Sequence, residues 1–302
     1  MTKSQLSLQL YNSAQEFLDD NLSELSLHEV QNIFLLISTQ SAAKEGSPFY
    51  GNAVWDMEKS QLILALVWFN NSELYASHVP ESHCKEAMNL ALSDLASKQP
   101  AIRTQLSIMH AFQPALGYLE SCYSSVTDVP ILAMERVWSQ TMYRQTPSLK
   151  LPHVPTACKF KLATEDLVDT FIIPWLQAFL KEVELDQNLY PATELVQQSM
   201  KDKFIYVVYD QEGVPVSMAW KRRPTLYGCS IAFVYTPPAY RGCHYASLCV
   251  GLLSEMLLKD FDYVTLFVLH TRDPYKNLYS ELGYQLTGEA ARILFSANQN
   301  TA

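Results

Sequence analysis

The residues with the plainest chemical meaning lie together in Val234-Tyr-Thr-Pro-Pro-Ala-Tyr-Arg-Gly-Cys-His-Tyr-Ala-Ser247. A strand-like run ends in Pro237-Pro238, a short loop carries Arg241-Gly242, and a helical run starts at once. The first amides of a helix have no intrahelical acceptor and sit at the positive end of its dipole, so such a junction suits a phosphate or pyrophosphate. Gly242 lets the backbone approach closely, Arg241 adds a planar cation, and Ala246 keeps the first turn narrow. The same residues suit an ordinary strand-to-helix turn with a solvated arginine equally well. Other chemistry is sparse. No HExxH, P-loop or GxSxG pattern occurs. His78, His83 and Cys84 are near neighbours, but no fourth ligand stands at metal-site spacing, so no metal is expected.

The elements that would position this loop read in two similar passes. In the first half, Ser26-Leu-His-Glu29 has capping-box spacing ahead of an apolar helical run to about Ser38. Strand-like runs follow at about 49–55, 61–69 and 73–79, then a helix from Pro80 to about Lys98, a strand near 104–109, a helix near 113–123 and a strand near 131–144. In the second half, Thr164-Glu-Asp opens a helix that Pro174 kinks or divides, and a short helix follows near 192–201. Strands at 204–209 and 214–222 form a hairpin around Asp210-Gln-Glu-Gly213, with a third at 227–235. A helix near 243–259, a strand at 263–270, a helix at 274–282 and a closing strand pair split by Thr287-Gly288 complete it.

Each half thus reads helix, helix, three strands, helix, strand, helix, strand. Trp55-Asp56 and Tyr209-Asp210 end equivalent strands, and Leu116-Gly117-Tyr118 echoes Leu282-Gly283-Tyr284. The order and spacing indicate an internal duplication. Pro147, Pro152 and Pro155 interrupt continuous structure and mark the boundary between a domain at 1–145 and one at 156–302.

Composition bounds the remaining possibilities. The chain has 302 residues, enough for two domains, and 48% are apolar, which supports a sizeable core and excludes wholesale disorder. Twenty-two basic against 31 acidic side chains leave a formal charge of −9, which argues against nucleic acid or an anionic membrane as partner. The longest apolar run, Leu62–Phe69, is far too short to span a bilayer. No apolar segment follows Lys3 as in a secretory signal. Cysteines 84, 122, 158, 229, 243 and 249 form no framework and read as reduced thiols, so a cytoplasmic setting is expected.

The loop resembles that of the GNAT acetyltransferase superfamily, whose motif Arg/Gln-x-x-Gly-x-Gly/Ala falls on Arg241 to Ala246. A second mark of the family, Tyr-x-x-x-Gly-Phe/Tyr, matches Tyr279-Ser-Glu-Leu-Gly283-Tyr284. The resemblance covers about 158–295 and extends more weakly over the chain as a tandem pair. It implies an α+β fold of two GNAT-like domains, each a mixed, mostly antiparallel sheet flanked by helices. It also implies N-acetyl transfer from acetyl-CoA to a primary amine, on a small molecule or a lysine, by direct attack in a ternary complex.

By position, Val234, Tyr235 and Thr236 would meet the pantetheine arm. Arg241, Gly242, Cys243, His244, Tyr245 and Ala246 would hold the pyrophosphate, and Tyr279 would protonate the departing thiolate. A phenol is protonated at neutral pH and can donate to sulfur as charge develops. Three departures stand out. His244 replaces the inner glycine, the strand at 227–235 lacks the acid many relatives carry, and Asn277 is out of step with the usual asparagine. Candidate bases are His270, Glu182, Glu184 and His244. Lys221-Arg222-Arg223 reads as a solvated strand end or as a contact for an anionic substrate or the CoA 3′-phosphate. The first half has His78-Val-Pro-Glu-Ser-His83 at the equivalent junction, without Gly or Arg, and is expected to keep the fold without the cofactor. The alternative is a non-catalytic CoA-binding or protein-interaction module on the same fold.

Overall fold

The computed structural model of the chain describes residues 6–296 apart from 59, 71, 79–83, 123, 125, 146–148, 153–157 and 186–190. The first half runs β1 (Leu6–Tyr11), α1 (Ala14–Ser26), α2 (Glu29–Glu45), β2 (Phe49–Asp56), β3 (Gln61–Phe69), β4 (Glu73–Ala76), α3 (Cys84–Lys98), α4 (Ile102–Gln105), β5 (Ile108–Phe112), α5 (Ala115–Cys122) and β6 (Ile131–Tyr143). The second half runs β7 (Lys159–Leu162), a 3-10 turn at Glu165–Leu167, a π turn at Val168–Ile172, α6 (Ile173–Glu182), α7 (Ala192–Lys201), β8 (Ile205–Tyr209), β9 (Pro215–Arg222) and β10 (Gly228–Tyr235). It ends with α8 (Tyr245–Leu257), β11 (Tyr263–Leu269), α9 (Leu278–Leu282) and β12 (Gln285–Phe295).

Several element ends differ from the sequence expectation for identifiable reasons. Each half opens with a strand, β1 and β7, that the expected order of elements lacks, although Leu6, Leu8 and Leu10, and again Phe160 and Leu162, alternate with polar residues as a half-buried strand does. Ser26 closes α1 rather than capping α2, and its buried hydroxyl has no hydrogen-bond partner among the described residues. The closing segment is one strand, because Thr287 is pinned in mid-strand by Ser139 Oγ at 3.1 Å and donates to the Ser139 carbonyl at 3.2 Å. Pro174 resolves as the start of α6: it has no N–H for the carbonyl one turn back, and the turn before it widens into the π form.

The chain divides into two compact units, one of residues 1–139, 268–271 and 287–302, the other of 140–267 and 272–286. The last strand in the sequence therefore lies largely in the first unit, where Ala290–Leu294 pair antiparallel with Ile108–Phe112. The strand order there is β1-β2-β3-β4-β5-β12, antiparallel except for β4 and β5. Its central strand β3 is buried on both faces. Leu64, Leu66 and Trp68 pack under α3 with Ala87, Ala91 and Leu95, and Ala65, Val67 and Phe69 pack under α1 and α2 with Phe17, Leu35 and Leu36. Successive side chains point to opposite faces, so the near-continuous apolar run is what a doubly covered strand requires.

In the second unit the order is β11-β10-β9-β8-β7, antiparallel except for β10 and β11. One face carries α6 and α7, with Trp175, Leu176, Leu180 and Val196 against Val207, Met218, Trp220 and Phe233. Helix α8 packs against β8, β9 and β10. Trp220 is fully buried, meets Phe233 edge-on at 5.0 Å and donates its indole N–H to the Met218 sulfur at 3.3 Å. Trp220→Ala is expected to lower unfolding stability by about 3–5 kcal/mol, measured by chemical denaturation.

Candidate functional site

The second unit's parallel ladder is short. Gly228, Cys229 and Ser230 pair with Tyr263, Val264 and Thr265, and the pairing stops although both strands continue. On its other edge β10 carries a bulge, since Ala232 opposes Trp220 and Tyr235 opposes Met218. Phe233 adopts φ 49° within that bulge. A bulge raises local twist and bends the strand, and here it falls where β10 and β11 cease to pair. Backbone groups of β10 beyond Ser230 on that edge have no ladder partner from β11. The strand end is fixed by Ser217, whose Oγ lies 3.2 Å from the Tyr235 carbonyl and 2.9 Å from Thr236 Oγ1.

A single 3-10 turn, Pro238–Tyr240, leads from the strand into the loop. Gly242 has φ 79° and His244 φ 60°, so two left-handed residues flank Cys243 and turn the chain into α8. A side chain at Gly242 would meet open space, and the constraint there is conformational. His244 makes no side-chain capping bond, and the first intrahelical bond returns from Leu248 N to His244 O at 2.9 Å. The amides of Tyr245, Ala246 and Ser247 are therefore the helix's unclaimed donors. A cavity of about 320 Å³ adjoins this helix start, lined by His244 and Ser247 together with Leu278, Glu281 and Leu282 of α9 and by Lys150.

Arg241 is engaged locally. Its Nε donates to the Thr236 carbonyl at 2.9 Å, and one terminal nitrogen donates to both Glu182 carboxylate oxygens at 2.8 Å. The guanidinium also stands 5.7 Å from the Tyr235 ring centre. Glu182 is the last residue of α6, so the pair ties that helix to the loop. Burial first, and then the Glu182 charge, push the Tyr235 phenol above its ordinary value.

Tyr279 stands in the first turn of α9, which Asn277 caps by accepting from the amides of Tyr279 and Ser280 at 2.9 and 3.0 Å. Asn277 is thus committed to the cap, and its amide group donates to Gln140 Oε1 and the Asp273 carbonyl. The Tyr279 ring meets Tyr284 edge-on at 6.3 Å. Its phenol is pushed up to about 12 by burial and has no hydrogen-bond partner among the described residues. Of the candidate bases, Glu182 sits beside Tyr235 and Arg241, Glu184 is exposed at φ 55°, and His244 is at the helix start. His270 belongs to the first unit, where it stacks on Trp138 at 4.1 Å and stands 3.7 Å from Glu289.

The Lys221 ammonium lies over the Phe204 and Phe261 rings, and Arg222 lies over Phe233. The first-half junction at 79–83 lies outside the described residues, as does His83. The described residues contain no group of three or more His, Cys, Asp and Glu placed to hold a metal, and no described helix is long and apolar enough to cross a membrane. Lys150 and Glu281 were not singled out by the sequence. The available signal was Gly251, an isolated glycine inside an apolar helix, which marks a close approach.

Comparison with known proteins gives no family model and no curated protein that matches. Solved structures do match. A GCN5-related N-acetyltransferase from Sphaerobacter thermophilus aligns with TM-score 0.52 and 8% identity over 95% of this chain and 94% of that one. An acetyltransferase of the GNAT family from Colwellia psychrerythraea gives 0.56 and 11% over 96% and 100%. A tandem GNAT protein from the clavulanic acid biosynthesis pathway gives 0.52 and 11% over 98% and 100%. The chain has the GNAT superfamily fold in tandem form, a mixed and mostly antiparallel architecture flanked by helices.

His244 occupies the left-handed region that glycine favours and that β-branched residues strongly resist. His244→Val is expected to lower stability by about 1–2 kcal/mol, whereas His244→Gly should change it by less than about 1 kcal/mol. Denaturant melts of the two variants against the parent check this.

Proposed function

We propose that the chain is an acetyl-CoA-dependent N-acetyltransferase whose working site lies in the domain we place at 156–302. The observation that carries this reading is the coincidence of three features in one unit. They are a strand edge released from its parallel partner after Ser230, a left-handed loop delivering free amides at the start of α8, and a phenol on α9 with no hydrogen-bond partner among the described residues. The likeness to GNAT acetyltransferases along nearly the whole chain supports the same class of reaction.

The residues present fit acetyl-CoA. The free edge of β10 at Val234–Thr236 offers backbone groups to the amides of pantetheine, and the amides from Gly242 to Ala246 face the pyrophosphate. Arg241 holds this loop to the strand end through Thr236 and Glu182. A primary amine, on a small molecule or a lysine, attacks the thioester carbonyl within a ternary complex. The new C–N bond forms, the C–S bond breaks, the thiolate takes the Tyr279 proton, and the attacking nitrogen loses its proton to a base or to water. The domain at 1–145 binds no acetyl-CoA in this reading and shapes the acceptor side. The setting is cytoplasmic.

A phenol whose ionisation is raised to about 12 stays protonated across the working range, because a raised acid keeps its proton to higher pH. Activity should therefore rise with pH as the amine deprotonates, without an alkaline fall from Tyr279 below about pH 11. Tyr279→Phe is expected to lower kcat by about 10²-fold or more while leaving CoA affinity nearly unchanged. Thioester consumption with an amine panel, beside calorimetric CoA titration, measures both. An active parent with an equally active Tyr279→Phe removes the assigned acid. A parent that binds CoA yet acetylates nothing points to the binding module.

A further inference from the structure

The segment between the two halves reads in sequence only as a proline-punctuated boundary, yet part of it reaches the candidate site. We infer that Lys150, contributed by this segment, is the cation that meets a phosphate of CoA. The inference rests on the acetyl-CoA reading above and deepens it.

Three observations converge. First, the strap is seated on the helices that frame the cavity: Lys150 N donates to the Leu282 carbonyl of α9 at 3.2 Å. Leu149 and Leu151 lie against α8 at Gly251, where an added Cβ would run into Leu151 Cδ2. A glycine inside a helix costs about 1 kcal/mol relative to alanine, and here the space it vacates is filled by the strap. Second, Lys150 lines the cavity of about 320 Å³ beside His244 and Ser247 at the start of α8. Among the described residues it has no ion pair. Third, the cation that the loop motif itself supplies, Arg241, is already held by Glu182 and the Thr236 carbonyl. An ammonium is a compact charge with three rotatable donors and serves phosphate without the planar fork of a guanidinium. Glu281 on the same lining opposes an anion and sets the sign of a second test.

Calorimetric titration of the full chain with CoA tests the assignment. Lys150→Ala should weaken CoA binding about tenfold or more, Lys150→Arg should restore most of it, and Glu281→Gln should tighten it a few-fold. The melting temperature of Lys150→Ala should be unchanged, since the side chain is exposed. Dephospho-CoA separates the two phosphate sources. A tenfold loss that persists with it assigns the pyrophosphate, and a loss that vanishes assigns the 3′-phosphate. Acetylpantetheine, which has neither, should bind parent and variant alike. Equal CoA affinity of parent and Lys150→Ala overturns the inference while leaving the acetyl-CoA reading intact, as does a loss that persists with acetylpantetheine. A parent that binds no CoA overturns the reading itself.

Discussion

The parallel ladder between β10 and β11 closes after three residue pairs, and the candidate site follows from that early stop. A backbone edge in a sheet must satisfy its N–H and C=O groups, and leaving several without a strand partner is tolerated only where water or a ligand takes them. The bulge at Phe233 is the local cause, because an extra residue on β10 bends the strand away from a straight course. Around that bend the core is rich in aromatics. Trp220, Phe233, Phe179 and Trp175 hold the bent strand from the helix side, so the opening is backed by rigid packing.

Charge around the loop is divided between two tasks. The Arg241–Glu182 pair is nearly half exposed on both sides, so solvent screens it and its contribution to stability is small, about 0–1 kcal/mol. Its consequence is positional: it fastens the last residue of α6 to the loop and to the end of β10. A cation so placed has fewer donors left for a phosphate, and a formal charge of −9 gives the chain no general attraction for anions. In the proposed reading, anion binding here would depend on fixed local donors, which are the helix amides and a lysine brought in from outside the motif.

Much of the fold is legible in the sequence because it rests on periodicity and turn chemistry. The doubly buried β3, the hairpin around Asp210–Gly213 and the helix at 192–201 all stand where apolar pattern and turn residues place them. The Gly213 turn is explained by Asp210, whose carboxylate accepts from the amides of Glu212 and Val214. The opening edge strands β1 and β7 do alternate apolar and polar residues, but at six and four residues they are short, and pairing with β2 and β8 is what fixes them as strands. Capping-box spacing at Ser26–Glu29 misled because α1 and α2 adjoin there: Ser26 was already inside the first helix. The Thr287-Gly288 break misled because side-chain bonds from Ser139, 148 residues away, hold the strand straight through it.

At the site, the sequence by itself determined the residue types and their order: a strand running into a proline pair, Arg241-Gly242, a helix start, and a tyrosine two elements later. These are local properties, set by φ restrictions, missing donors and helix ends, and they survive any change of surroundings. Only the tertiary structure decided what those residues face. It gave Arg241 to Glu182, placed Asn277 as a cap, left the Tyr279 phenol without a hydrogen-bond partner among the described residues, and laid Lys150 along α8 and α9. Side-chain partnership depends on packing between segments that are 59 residues apart for Arg241 and Glu182, and no local preference encodes it.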